Sequence, residues 1–202
     1  HRSENLWKRQ AEIKLPALIE STDMLVCGED LGMIPACVPE VMKELNILSL
    51  EIQRMPKEPR VEFGRPASYP YLSVATPSSH DTSVIRAWWE EDRERSKRFY
   101  NTILGQNGDA PYYCETNVVK EIIYQHLYSP AMWAVFPIQD LLGMDEVLRY
   151  EKPQEERINI PSESNHYWCY RCHISTDTLL AATNFNGMLR SMLHISGRDE
   201  AY

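Results

Sequence analysis

Residues 24–32 read MLVCGEDLG: four apolar residues run straight into Gly28-Glu29-Asp30-Leu31-Gly32. An apolar run without alternation is the pattern of a strand covered on both faces, as in a parallel barrel sheet. Three more runs read as strands: ILSLEIQRM at 47–55, which alternates, YLSVAT at 71–76, and WAVF at 133–136. Helical stretches fall between and around them, at 6–19, 39–45, 83–103, 118–127 and 176–195. Pro16 should kink or restart the first, Pro39 should open the second, and Asn186-Gly187 should break the last. Residues 150–165 are polar, carry Pro and have little periodicity, and Asn107 to Pro111 reads as a loop. A β-then-α order without repeats or linkers predicts an α/β domain around a parallel sheet, closed or open.

The bulk numbers narrow the function. The chain has 202 residues, whereas a complete eight-unit α/β barrel typically needs about 250. It begins at His1 within a helix-like run, so a fragment is expected. A net charge of −8 gives no broad attraction to nucleic acid or anionic membranes and leaves neutral sugars unaffected. No apolar stretch reaches membrane-spanning length, no signal-peptide pattern opens the chain, and no Asn-x-Ser/Thr site is present. Together these favour a cytoplasmic setting. Five scattered cysteines, Cys27, Cys37, Cys114, Cys169 and Cys172, argue against a disulfide framework. Cys169-x-x-Cys172-His173 matches a haem-attachment pattern, but it sits among Trp168, Tyr170 and Arg171 beside a helix start at Ser175-x-Asp177. No second Cys-x-x-Cys completes a zinc site. Reduced, partly buried thiols are the expectation, with no metal or cofactor.

Three strand runs end in polar clusters: Glu29-Asp30, His80-Asp81 and Gln139-Asp140. In parallel α/β architectures the chemistry gathers at those C-terminal strand ends. A carboxylate there is a candidate general acid if burial raises its pKa. Glu29, flanked by Gly28 and Gly32, is the best placed, although capping a helix or pairing with an arginine would also account for it. Asp81, before Thr82-Ser83, fits either helix capping or sugar binding beside His80. Among the aromatics, Trp88, Trp89 and Trp133 read as packing residues, and Tyr167 and Trp168 as candidates to stack on sugars. Ser78-Ser79-His80-Asp81 lacks the G-x-S-x-G elbow of a serine hydrolase, and no nucleotide-binding glycine motif occurs.

Taken in order, CGEDLGMIP (27–35), IQRMP (52–56), SSHDTS (78–83), AMWAVFPIQDLL (131–142) and ERINIP…HYWCYR (156–171) resemble the 4-α-glucanotransferase family. Its members include amylomaltase and disproportionating enzyme. The resemblance is nearest the plant-type branch acting on maltose and heteroglycan, which also has a counterpart of WWEEDRERSKRFY (88–100). It implies the C-terminal portion of a (β/α)8 TIM barrel carrying about the last four strands. Residues 1–202 would form that partial catalytic barrel, with the N-terminal barrel half and any glucan-binding domains outside the chain. By motif, Glu29 is implied as acid/base and Asp81 as transition-state stabiliser. His80, Asp30, Gln139, Asp140, Asn159 and Pro161 are implied to contact substrate or to line or support the cleft.

The family nucleophile, an Asp in an Arg-x-Asp motif, has no counterpart upstream of Glu29. Cys169 and Cys172 also depart from the Arg and Met usual in this region. The implied reaction is retaining double displacement with maltose, malto-oligosaccharides or glucan polysaccharide as partners. Two rivals are an α-glucan hydrolase and a non-catalytic glucan-binding remnant. The 202 residues alone are expected to be inactive, and to aggregate through unpaired strand edges.

Overall fold

The computed structural model describes residues 2–29 and 34–199. The helices are α1 (Arg2–Ile19), α2 (Cys37–Glu44), α3 (Ile85–Glu91), α4 (Arg93–Thr102), α5 (Thr116–Leu127), α6 (Ile138–Leu142), α7 (Thr176–Ala181) and α8 (Thr183–Ile195). The strands are β1 (Ser49–Ile52), β2 (Ser73–Thr76) and β3 (Trp133–Ala134), and short 3₁₀ turns occupy Pro66–Ser68 and Pro153–Glu156. The chain forms two compact units: His1–Thr76 with Ser129–Val135, and Pro77–Tyr128 with Phe136–Tyr202.

The first unit holds an α/β arrangement around a small parallel sheet ordered β1-β2-β3. Ser49 pairs with Ser73 and Ile52 with Thr76, while Val74 pairs with Trp133 and Ala75 with Ala134. Bonds from Met132 N–H to Tyr71 O (2.8 Å) and from Val135 N–H to Ala75 O (2.9 Å) continue the β2–β3 ladder past the short strand. Ala75, Tyr69 and Ala131 form one buried cluster. Ahead of β1, α2 ends on Asn46 at φ +54. Ile47 N–H donates to Met42 O at 2.8 Å, closing the helix in a Schellman turn and aiming the chain into the strand.

Residues 24–27, expected as a fully buried strand, form a single parallel bridge, Cys27 with Leu48. Met24 and Leu25 are 75% and 48% exposed. The reason is one-sided pairing. Val26 O accepts from Leu48 N–H (3.0 Å) and Leu48 O accepts from Gly28 N–H (2.8 Å), and no strand lies on the other edge among the described residues. Helix α1 runs unbroken through Pro16, which loses one helical donor without ending the helix. Leu6, Ile13 and Leu18 on it are exposed.

The second unit is helical. Its core includes Ile85, Trp89, Phe99, Ile123, Leu142 and Met192, each 3% exposed or less. The stretch expected as one helix divides at Asp92, whose extended backbone and side chain cap α4 by accepting from Arg95 N–H at 3.0 Å. Trp88 and Trp89 pack edge-on against Phe99, with centroids 5.1 and 6.4 Å away. Ser175 caps α7 as its spacing suggests, accepting from Thr178 N–H at 3.1 Å. The break after it falls at Ala182, with Asn186-Gly187 inside α8. Asn186 instead donates to Leu179 O at 2.8 Å, tying the two helices together.

Candidate active site

In the second unit, residues 78–83 make a turn closed on itself. Thr82 Oγ1 accepts from Ser79 N–H at 2.9 Å, and Asp81 N–H donates to Ser79 Oγ at 3.3 Å. Those side chains are therefore committed before α3 begins at Ile85, and neither Asp81 nor Thr82 caps that helix. The cap comes from across the unit: Asp140 Oδ1, on α6, accepts from Ile85 N–H at 2.7 Å.

The carboxylate of Asp81 is positioned by residues far along the sequence. Asn159 Nδ2 donates to Asp81 Oδ1 at 2.6 Å, and Asn159 N–H donates to His80 O at 3.0 Å. Arg157 adds three bonds, to Asn159 O (2.9 Å), Ser83 Oγ (3.3 Å) and Asp81 O (3.4 Å). Residues 157–159 thus form a strap across the turn. A charge-assisted bond of this kind is worth roughly 1.5–3 kcal/mol. His80 Nε2 lies 3.4 Å from the same Asp81 oxygen, and the His80 ring sits 5.0 Å from that of Trp168. With a third of its side chain exposed, Asp81 keeps acceptor capacity for hydroxyl groups, and His80 and Trp168 add a ring-lined wall.

His166 Nε2 is bonded to Ile158 O at 2.9 Å, which brings the following residues back beside the strap. Trp168 and Tyr167 there are 60% and 81% exposed, and Pro161 is also exposed. A cavity of about 370 Å³ next to them is lined by Tyr150, Arg157, Ile160, His166, Tyr167 and Tyr170, among others. The structure therefore brings His80, Asp81, Asn159 and Trp168 together.

Gln139 and Asp140 are buried, at 4% and 2% exposure. Gln139 Nε2 donates to Glu156 O at 3.3 Å, and Asp140 caps α3. Helix α6 turns both side chains into the core of the second unit, a placement in keeping with supporting the cleft.

Glu29 lies in the first unit, one residue past Gly28, and is exposed. The burial expected of it is not supplied by the described residues, since its strand run is an edge. A Cβ on Gly28 would meet Met42 Cε at 2.9 Å and Ile47 Cγ2 at 3.4 Å. Glycine at 28 therefore serves the protein's own packing. Asp30 lies outside the described residues.

One group went unnoticed in the sequence: Glu156, 1% exposed. Its Oε2 is 3.9 Å from Arg86 Nη1. Burial pushes its carboxyl up to about 7, Asp140 adds to that, and Arg86 opposes it. A glutamate inside a polar run gives no local signal of burial. The only cue was its place directly before Arg157-Ile-Asn159.

The cysteines are free, and Cys169 and Cys172 are exposed. His173 Nε2 is bonded to Leu148 O at 2.7 Å, so one nitrogen of the CxxCH motif is already engaged. Among the described residues no group of three or more His, Cys, Asp or Glu is placed to hold a metal, and no helix is long and apolar enough to cross a membrane.

A sequence model described as 4-alpha-glucanotransferase matches residues 1–176. The chain is 47% identical over 197 residues to the 4-alpha-glucanotransferase DPE2 of Oryza sativa subsp. japonica, covering 98% of this chain and 21% of that protein. It is 30% identical over 190 residues to the 4-alpha-glucanotransferase of Chlamydia trachomatis, covering 91% of this chain and 35% of that one. The fold matches part of an amylomaltase from Streptococcus agalactiae solved with acarbose, with TM-score 0.66, 18% identity, and coverage of 88% of this chain and 33% of that one. The chain thus spans between a fifth and about a third of the length of these relatives. With the family sequence model covering most of its length, the chain belongs to the 4-alpha-glucanotransferase family.

Proposed function

We propose that this chain is the C-terminal portion of a (β/α)8 catalytic barrel performing retaining 4-α-glucan transfer in a longer cytoplasmic protein. Its donors would be maltose, malto-oligosaccharides or glucan polysaccharide, and its acceptors glucans. The observation that carries this reading is the anchored Asp81, held by Asn159 Nδ2 at 2.6 Å beside His80 and Trp168. Such a carboxylate suits the hydroxyls of a sugar whose ring becomes positively charged in the transition state. The one-sided pairing of residues 24–27 fits a further strand there in the whole protein, and free cysteines fit a reducing compartment.

The chemistry divides between two steps. An aspartate supplied by the rest of the protein attacks the anomeric carbon. Glu29 meanwhile gives its proton to the departing glycosidic oxygen, leaving a covalent glycosyl-enzyme. Glu29 then takes the proton of an acceptor 4-hydroxyl as that oxygen attacks, restoring the acid. His80 and Asp81 would hold the hydroxyls of the reacting sugar, Tyr167 and Trp168 would stack on sugar faces, and Gln139, Asp140, Asn159 and Pro161 would line or support the acceptor-side cleft. Transfer outruns hydrolysis when the acceptor is held well enough to beat water.

The test is incubation of the full-length protein with maltose and glycogen, resolving products by chain length, for wild type and Asp81→Asn. Glucose release with glucan extension, falling by about 10²–10³-fold in the variant, supports the reading. Reducing-sugar release without redistribution of chain length would indicate a hydrolase, and no turnover in wild type a binding remnant.

A further inference from the structure

Directly beneath the strap that anchors Asp81 lies a buried acid–base pair that none of the steps above uses. Glu156 immediately precedes the strap, and its backbone carbonyl is gripped by Gln139 Nε2 at 3.3 Å. Its two carboxylate oxygens make no hydrogen bond, and neither does the nearby Arg86 Nε. Arg86 spends Nη1 on Tyr150 O at 2.5 Å, leaving a 3.9 Å approach to Glu156 Oε2. Buried polar atoms left unpaired are costly, so a shift that brought the Arg86 guanidinium and the Glu156 carboxylate into hydrogen-bond contact would be favoured. When Glu156 is ionised, its charge draws Arg86 across the gap and pins residue 156. When it is protonated, that pull is lost.

We infer that Glu156 is a positioning residue for Asp81: in its ionised form it closes onto Arg86, fixing the 157–159 strap and through Asn159 the aim of the Asp81 carboxylate. The chain of contacts is short, running from Glu156 to the Arg157 and Asn159 bonds on the turn and then to Asp81 Oδ1. The groups that bear on the pair come from each element around it. Arg86 on α3 favours the ion, and Asp140 on α6 and burial oppose it. Arg149 repels Arg86 and Glu90 on α3 favours its charge, and Tyr170, whose hydroxyl is raised by burial, feels Glu156 from the aromatic segment. With the carboxyl pushed up to about 7, the closing lies within the working range of pH.

The inference rests on the reading of Asp81 as a substrate contact. Its test is the pH dependence of kcat for maltose-to-glycogen transfer in the full-length protein, compared across wild type, Glu156→Gln, Arg86→Gln and Asp81→Asn. We expect an acid-side limb near pH 7 in wild type. Glu156→Gln should lack that limb, run several-fold slower at pH 8 and change KM little. Arg86→Gln, which removes the favouring charge, should move the limb up by about a pH unit. An unaltered limb in either of the first two variants overturns the positioning role. If Glu156→Gln does not fold, the limb in Arg86→Gln still decides the question. Full activity in Asp81→Asn would overturn the underlying reading of the site, whatever the pH profiles give.

Discussion

The two carboxylates with implied catalytic roles sit in contrasting surroundings. Asp81 in the second unit is held by Asn159, backed by Arg157 and flanked by His80. Glu29 in the first unit is exposed, at the end of a run joined to the sheet by one bridge. A transition-state stabiliser must have its charge aimed before the reaction, because reorganising it afterwards costs the energy it is meant to supply. An acid/base that gives and takes a proton needs its surroundings completed by substrate and neighbouring chain. The second unit carries its own scaffold for Asp81, whereas the first presents Glu29 exposed beside a single bridge.

That contrast can be broken in several ways, the largest effect first. Glu29→Gln should lower transfer by about 10²–10⁴-fold while leaving thermal unfolding of the full-length protein unchanged, since the substitution keeps the size and shape of the side chain and removes only its acid–base function. A drop in melting temperature of several degrees would mean that Glu29 is structural. Asn159→Ala removes the anchor but not the charge of Asp81, and kcat/KM should fall about 10–100-fold, the worth of one bond to a charged group. Wild-type kinetics in that variant would show that the strap does not aim Asp81.

Asp140→Ala should act on stability, because it strips the cap from α3. The expected loss is about 1–2 kcal/mol, read by denaturant titration, against a far smaller loss for Thr82→Ala, whose hydroxyl serves only a local turn. Equal losses would contradict the assignment of the cap to Asp140.

The smallest effect concerns pH. Glu156 has a folded-state value raised to about 7 from 4.5, so between those values the folded protein binds the proton more tightly than the unfolded one. Stability should therefore fall as pH rises through that window and level off above it, by at most about 3 kcal/mol. Glu156→Gln should lack this slope in melting temperature measured from pH 5 to 8. The same slope in the variant would assign it to other groups.

Much of this was legible in the sequence, and the failures share one cause. The runs 47–55, 71–76 and 133–136 each contain a strand, because β-rich apolar segments carry a local signal. The run at 24–27 reads as buried, yet burial of a parallel strand depends on partners at both edges, and among the described residues only Leu48 supplies one. Helix 83–103 divides at Asp92 because a capping bond outcompetes continuity there, whereas Asn186-Gly187 is absorbed into α8. His80, Asp81, Asn159 and Trp168 were picked out from motifs and do converge. Asp140 and Glu156 defeated local reading because their surroundings are built from residues more than fifty positions away: Ile85 for Asp140, and Arg86 for Glu156.

The most direct test of the central claim uses a donor that needs no protonation. The full-length protein and its Glu29→Ala variant would be given maltose or α-maltosyl fluoride as donor, with glucan acceptor, and azide would be added to the variant. If Glu29 is the acid/base, the variant loses maltose turnover but still releases fluoride in the first step. Azide, a nucleophile needing no general base, then restores turnover and yields an α-glycosyl azide. If fluoride release falls as steeply as maltose turnover and azide restores nothing, Glu29 shapes the site without transferring a proton, and the assignment fails.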